Sequence, residues 1–477
     1  MTWPAVAVWI LIVLAALPRS PLPLLYLYSG LGAFMTLTLA PSGGGGMNLL
    51  GQSVCAGFLV CKLLLTENRL PRAWDAAVDP KKLGLLFIFL AYALFSAYVM
   101  PRFFAQLVEV IPMSVTVDWA IPLQPTPSNL AQSAYMAMSV GMALAMFVMA
   151  SSASFRQHFM KAAFFGGLVL IATGIADALL SAAGLSGLLE PFRNASYALL
   201  TNVEIADGAK RVVGLMPEAS AYGAACVVAA STLIFFRPCF EDERWRNLFV
   251  PLGIAGLLAM AVLSTSSTAY VGLGVLALTF GVNWLRRALS ANAPARGGLQ
   301  SEAFIAIAGF LLLLAIIALF PDLMQPVYNR LDTLIFKKTE SDSYLGRTMW
   351  TQVAMQAFFA TNGLGVGLGG ARTSNWFASI LSNTGIFGTI LLFGFILRLY
   401  FRSYNGANPL TAEFVTALKF SLIPQFAMLA LSGTNPDIGT GMASALGLIA
   451  ALTLEPEQAA FRAGSSLGWP ARARSRR

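Results

Sequence analysis

The sequence predicts an all-α polytopic membrane protein with about 12–13 transmembrane helices and a large outer loop that contains an amphipathic helix. Three observations predict it. The 477 residues are 57% hydrophobic and 11% charged, with a mean hydropathy of +0.70, whereas a soluble domain carries about 25% charged residues. Apolar runs long enough to cross a bilayer recur along the whole chain. The basic residues collect in short loops that alternate between those runs. A single integral membrane domain over 1–477 is expected, with a large outer loop at 321–375 and a basic inner tail at 455–477.

The runs fall at 22–40, 47–65, 83–100, 128–151, 161–184, 217–236, 246–264, 267–285, 303–320, 376–400, 411–430 and 434–454. A shorter run at 3–17 is read as a thirteenth. It lacks a basic start and a small-residue cleavage site, so it is not read as a cleaved signal peptide. The turn Leu17-Pro18-Arg19-Ser20-Pro21 closes it.

Positive charge orients the bundle. Basic loops occur at 66–82 (Arg69, Arg72, Lys81, Lys82), 152–161 (Arg156, Lys161), 237–246, 286–302 and 398–410, and the C-terminal tail is basic too. Their alternation puts all of them on one side, the cytoplasmic one. The opposite loops, 41–46, 101–127, 185–216, 265–266, 321–375 and 431–433, then face outward. The net charge of +9 is spread over these loops and does not form a phosphate-tracking stripe, so no nucleic-acid partner is expected. The four cysteines fall in apolar segments or beside an inner loop, which gives no disulfide framework. A single histidine, His158, rules out a His-rich metal site, and it reads as a solvated residue of an inner loop.

The outer loops carry the chemistry. Segment 101–127 holds Pro101, Pro112, Pro122, Pro125 and Pro127 among apolar residues, which predicts a structured cap. Segment 343–360 reads as a helix along the membrane surface, with Leu345, Met349, Val353 and Phe359 on one face. The glycine run from Gly363 to Gly370 lacks the Lys-Ser/Thr of a P-loop and follows no buried parallel strand, so it is read as a backbone turn re-entering the membrane. Arg330, Lys337 and Lys338 read as solvated. Arg347 and Arg372 are candidates to hold a phosphate or pyrophosphate, because a guanidinium fork matches those oxygens.

A second outer segment reads Lys210-Arg211-Val-Val-Gly214-Leu-Met-Pro217-Glu218-Ala-Ser220-Ala-Tyr222-Gly223. Pro217 followed by an acid is an ordinary helix start. The same residues also offer an anion-gripping arginine beside a carboxylate able to accept a proton. Two further features stay open between packing and function. The hydroxyl-rich hinge Ser264-Thr265-Ser266-Ser267-Thr268 either packs helices or lines a glycan path. Asp177 is either a mid-membrane functional acid or a residue reaching the outer interface.

Taken in order, four pieces resemble the bacterial O-antigen polymerase and O-antigen ligase superfamily: Arg211 to Gly223; the Ser264–Tyr270 turn; Gly346-Arg347-Thr-Met-Trp350; and Asn362 through Arg372-Thr-Ser-Asn375 to Gly388. The resemblance covers roughly residues 205–400. It implies a glycosyltransferase of the bacterial inner membrane, with its active site facing the periplasm, that takes glycans from an undecaprenyl-pyrophosphate carrier. It implies no cofactor and no metal. The partners it implies are undecaprenyl-pyrophosphate-linked oligosaccharides, the lipid bilayer, a chain-length regulator and a flippase. Arg211 and Arg347 match the family's functional arginines. Glu218 is the candidate base, although a neighbouring Arg211 would weaken it in that role. Arg372, Tyr222 and Asn375 are expected to bind substrate. The ligase branch places a histidine where this chain has Ser374, which favours polymerisation over ligation. Three functions are therefore carried forward: polymerase, a ligase using a different base, and, from another class, a flippase of lipid-linked glycans.

Overall fold

The computed structural model describes residues 1–40, 48–66, 69–113, 119–195, 199–201, 210–290, 298–300, 302–303 and 342–454. The span expected at 303–320, beyond its first residue, lies outside them. So do the start of the 321–375 loop with Arg330, Lys337 and Lys338, and the tail at 455–477.

The helices are α1 (Trp3–Ala16), α2 (Leu22–Leu31), α3 (Gly51–Leu64), α4 (Arg69–Val78), α5 (Gly84–Phe103), α6 (Pro127–Met149), α7 (Ala153–Ala182), α8 (Ala219–Phe236), α9 (Val250–Leu263), α10 (Ser267–Leu289), α11 (Asp342–Ala360), α12 (Trp376–Phe401), α13 (Pro409–Ser432) and α14 (Thr440–Leu454). Among the described residues eight helices are long and apolar enough to cross a membrane, and α1, α2, α3 and α14 are shorter apolar helices. The chain is an all-α polytopic membrane protein.

Caps fix several helix starts. Thr126 and Asn129 form a capping box before Pro127 of α6. The Asn408 side chain accepts from the Leu410 and Thr411 amides at 3.0 and 3.4 Å ahead of α13. The Ser152 hydroxyl accepts from Phe155 N at 3.2 Å and starts α7 well before the expected 161. The 30-residue helix α7 thus takes in Arg156, His158 and Lys161. His158 is half-buried there, with Nδ1 3.2 Å from the Tyr26 hydroxyl, rather than solvated in a loop.

α6 and α14 form the centre of the bundle. Every side chain from Met442 to Leu452 is buried, as expected of a helix that is apolar all round and lies inside. Gly447 lets the two backbones meet: a Cβ there would collide with the Ala143 carbonyl. The outer helices instead expose apolar side chains, such as Leu168, Ile175 and Leu179 of α7 and Leu278, Val282 and Leu285 of α10. Such belts suit lipid as solvent.

Besides α7, two more spans begin or end elsewhere than the apolar runs predict. α2 stops at Leu31, and residues 32–40 continue in an irregular path. Their polar groups bond across to the segment after α7: Thr36 Oγ1 donates to Leu215 O at 3.1 Å, and Thr38 N donates to Asn194 Oδ1 at 2.7 Å. α14 starts at Thr440 rather than 434, because Gly439 sits at φ +72° and the preceding connector is not helical.

The cap at 101–127 contains an antiparallel hairpin in which Glu109 pairs with Pro122 and Val110 with Ile121. With Met100, Phe104, Leu123, Ala354, Ala357, Val366 and Ala371 it encloses a small second core. This core joins the cap, α11 and the glycine run. On α11, Leu345, Met349 and Phe359 point outward, and Ala354, Ala357 and Phe358 are the side buried in this core.

The glycine run is a buried wedge. Gly363, Gly365, Gly367 and Gly369 alternate at φ between 79° and 91°, which side chains other than glycine's resist. The wedge meets α12 at Gly385, itself at φ 68°, where the helix breaks. That break lies nine residues past Trp376, about 13 Å into the helix at 1.5 Å per residue. The loop supplies the hydrogen bonds the break leaves open. Ile386 N donates to Gly363 O and Val366 N to Ser382 O, both at 2.9 Å. Asn383 Oδ1 accepts from the Gly370 and Ala371 amides at 2.9 and 3.1 Å. Irregular backbone at this depth persists because protein groups satisfy it.

Candidate functional site

At the end of the bundle that carries the hairpin and α11, three sequence-predicted residues come together. Arg347, in the second turn of α11, donates from Nη2 to Glu218 Oε1 at 2.9 Å, bridging 129 residues of sequence. Both side chains are partly exposed, at 25% and 30%. Glu218 is the N-cap residue of α8, yet its side chain makes no capping bond. It turns instead to Arg347 and to the Ser220 hydroxyl, which donates to the same oxygen. Pro217 thus precedes the N-cap instead of opening the helix, and the carboxylate is turned to the site instead of capping an amide.

Arg211 sits behind this pair. Its Nη2 donates to Thr265 O at 2.9 Å and its Nε lies 3.4 Å from Ser264 O. Those carbonyls end α9, where the helix dipole presents its negative pole. Thr265 is held at φ 47°, an unfavourable value for a β-branched residue. The hydroxyl-rich hinge is thus the seat of Arg211. Burial, only partly offset by the Glu218 charge, pulls the Arg211 guanidinium below its usual pKa, and the Arg347 charge pulls in the same direction. No carboxylate lies within ion-pair distance of Arg211 among the described residues.

The segment holding Arg211 is organised by Asp177 of α7. This carboxylate is buried and accepts four bonds: from Lys210 Nζ at 2.7 Å, Arg193 Nη2 at 3.1 Å, Val213 N at 2.8 Å and Gly214 N at 3.1 Å. Arg193 also donates to Gly214 O at 3.3 Å. The open question about Asp177 resolves toward positioning: it fixes the backbone just after Arg211 and the Lys210 side chain just before it, without itself reaching the site surface.

The remaining predicted residues lie further along α11 or inside the bundle. The Arg372 guanidinium stacks 3.7 Å from the Trp350 ring, one turn after Arg347. The Ser374 hydroxyl donates to Arg347 O at 3.1 Å, so residues 372–374 run along the helix that carries Arg347. Asn375 caps α12, accepting from Ala378 N at 3.1 Å. Tyr222 does not reach the surface of the site. It is fully buried, and its hydroxyl donates to Leu170 O at 3.0 Å. Position 222 lies one turn inside α8, on the side turned toward α7 and the Gly214 turn, where Gly174 and Gly214 make room for its ring.

Sequence reasoning missed Asp437, in the connector before α14. Its Oδ2 accepts from Ser139 Oγ at 3.1 Å, and its buried Oδ1 has no partner among the described residues. Burial pushes its carboxyl up to about 6. Its carbonyl accepts from Trp376 Nε1 at 2.9 Å, which ties it to the residue following Asn375. A hydropathy scan absorbs an acid at the end of an apolar run into the span, so no sequence signal marked it.

Chemically, the site offers two arginines and one carboxylate at one end of a membrane bundle. Arg211 Nη1 and the Glu218 Oε2 oxygen have no protein partner among the described residues. The arrangement can grip a multivalent oxyanion and present a carboxylate oxygen beside it. Comparison with known proteins finds neither a family profile nor a curated sequence that matches this chain.

Proposed function

We propose that the protein is a polysaccharide polymerase of the O-antigen or exopolysaccharide type. It moves a growing glycan from an undecaprenyl-pyrophosphate carrier to the terminal sugar of another lipid-linked repeat unit, on the periplasmic leaflet of a bacterial inner membrane. The observation that carries this reading is the meeting of Arg211 and Glu218, from the segment that leads into α8, with Arg347 of α11. In the reaction an acceptor hydroxyl attacks the anomeric carbon from the face opposite the pyrophosphate. The new glycosidic C–O bond forms as the bond to the pyrophosphate oxygen breaks, and that oxygen keeps the electron pair. Arg211 and Arg347 donate to the pyrophosphate and stabilise its growing charge, a role in which losing one donor costs about 10²–10³ in rate. The hydroxyl proton passes to Glu218, and undecaprenyl pyrophosphate leaves. On this reading no metal is required.

Two observations bear on the rival readings. Ser374, where ligases carry histidine, spends its hydroxyl on the Arg347 carbonyl, so it braces α11 and offers no base. The break in α12 at Gly385 resembles the discontinuous helices of transporters. Its backbone groups, however, are taken up by the glycine run rather than left to face a ligand.

The test is reconstitution of the full chain with lipid-linked repeat units. The expected products are longer than one unit, and Arg211→Ala and Arg347→Ala each abolish them while the protein remains inserted. Normal chain length in both variants overturns the assignment. A change of sidedness without lengthening points to a flippase, and transfer to a lipid or protein acceptor without lengthening points to a ligase.

A further inference from the structure

The opposite, basic end of the bundle holds a cavity of about 410 Å³ unrelated to the arginine site. It opens between the end of α3, the short helix α4, the first turn of α5 and α6. Leu64, Leu70, Trp74, Ala77, Phe87 and Leu144 form most of its wall, and no polar side chain lines it. Its size falls in the roughly 300–1,000 Å³ range of ligand pockets. α4 forms one side and is itself amphipathic. Ala73, Ala76 and Ala77 pack inward, while Leu70, Trp74 and Val78 recur every four residues on an exposed stripe. A helix with that stripe, lying between charged segments, sits in the plane of the lipid headgroups.

The rim is strongly basic. Arg69 and Arg72 lie on α4 beside Leu70 and Pro71 of the lining, and Lys81 and Lys82 lie in the connector leading to Phe87. The basic end of α12 is drawn to the same connector: Arg398 donates to Pro80 O at 2.7 Å and Arg402 to Lys81 O at 3.0 Å. Glu67, Asp75 and Asp79 are the acids in this stretch of sequence, so with Arg69, Arg72, Lys81, Lys82, Arg398 and Arg402 positive charge prevails. An apolar slot beneath a positively charged rim complements a molecule with a hydrocarbon chain and an anionic head.

We propose that this cavity binds an anionic phospholipid of the cytoplasmic leaflet, with one acyl chain in the slot and the phosphate near Arg69 and Lys81. The lipid would wedge α4 against α5, where Trp74 already meets the Phe87 ring edge-on at 6.0 Å between centroids. Each basic residue near such a headgroup contributes about 1 kcal/mol, or about fivefold in affinity.

The experiment uses the full chain in detergent, titrated with phosphatidylglycerol brominated on its acyl chains. Brominated phosphatidylcholine of the same chain length serves as comparison, and fluorescence quenching is read as the difference between the native protein and Trp74→Phe. The expected result is Trp74-dependent quenching by phosphatidylglycerol at lower lipid ratios than by phosphatidylcholine. Arg69→Gln and Lys81→Gln should each weaken the phosphatidylglycerol response about fivefold. Leu64→Phe with Leu70→Phe should abolish it by filling the slot. Equal quenching by the two lipids in the native protein overturns the proposal, as does undiminished quenching in the filled variant. If the filled variant fails to fold, the two charge variants decide: a phosphatidylglycerol response unchanged in both also overturns it.

Discussion

Replacing Asp177 by asparagine tests whether the site is built from below. The carboxylate carries one buried negative charge against Arg193 and Lys210 and accepts from the two backbone amides of Val213 and Gly214, just after Arg211. Asparagine keeps the shape and one acceptor oxygen but removes the charge. The Arg193 side chain is only 1% exposed, so it would lose its buried counter-charge, the exposed Glu190 being its other acidic partner. Breaking a buried pair in this way costs about 3–5 kcal/mol. Most of that falls on the 210–216 segment, because the transmembrane helices keep their own contacts. Asp177→Asn should therefore insert and remain helical, lose several degrees of thermal stability in detergent, and expose 210–216 to limited proteolysis. Chain lengthening should fall steeply, since Arg211 loses its placement. Adding Arg193→Met to Asp177→Asn removes the stranded cation and should restore roughly 1–3 kcal/mol of stability without restoring chain length. Wild-type stability, proteolysis and chain length in Asp177→Asn would refute the reasoning.

Three further outcomes follow from the geometry. Tyr222→Phe removes the bond to Leu170 O; it should cost about 1 kcal/mol of stability and leave product length unchanged, whereas a substrate ligand at this position would lose activity with stability intact. Gly385→Ala places a Cβ against the Leu364 and Gly363 carbonyls at φ 68°; it should cost more than the roughly 1–2 kcal/mol of the left-handed conformation alone and reduce the yield of folded protein in size-exclusion chromatography. Asp437→Asn tests the buried acid: its carboxyl is displaced from 3.8 to about 6, so the folded state binds the proton more tightly and this group's contribution to stability falls as pH rises from about 4 to about 6. The variant should gain most over the native protein above pH 6, by at most about 3 kcal/mol, and nothing near pH 4, as read by thermal melts across that range.

The spans were legible because a bilayer demands long apolar runs, and α5, α6, α10, α12 and α13 match those runs within a few residues. What apolarity does not encode is the backbone path inside protein. Residues 32–40 are as apolar as a helix, yet they leave α2 at Leu31 because Thr36 and Thr38 find partners some 156–179 residues away. The glycine run was legible as a turn because alternating glycines permit positive φ. Its depth was not, since that depends on Gly385 breaking another helix to receive it. In the candidate site, Arg211, Glu218 and Arg347 stood out as charges beside membrane spans, and such charges require a partner. Tyr222 was misread because a motif records spacing, and spacing does not say which flank of α8 faces Leu170 and Gly174. The Lys210 and Arg193 partners of Asp177 were hidden for a similar reason: they come from the connection between α7 and α8, which folds back over its own helix.

The charge arrangement explains how several cations are held together at one end of a membrane bundle. Asp177 binds down Arg193 and Lys210, and Glu218 engages Arg347. Arg211 is held differently, by the carbonyls of Ser264 and Thr265 at the end of α9. Carbonyl dipoles orient a guanidinium without cancelling its charge, whereas a carboxylate does both. Arg211 therefore keeps a full positive charge in a half-buried place, where an approaching anion interacts with it more strongly than in water. Arg347 can exchange its single bond to a partly exposed carboxylate for bonds to that anion, and doing so would free Glu218 at the moment a base is needed. An anion entering here would thus supply Arg211 with a counter-charge and release the carboxylate by the same event, which on the proposed function would couple carrier binding to activation of the acceptor.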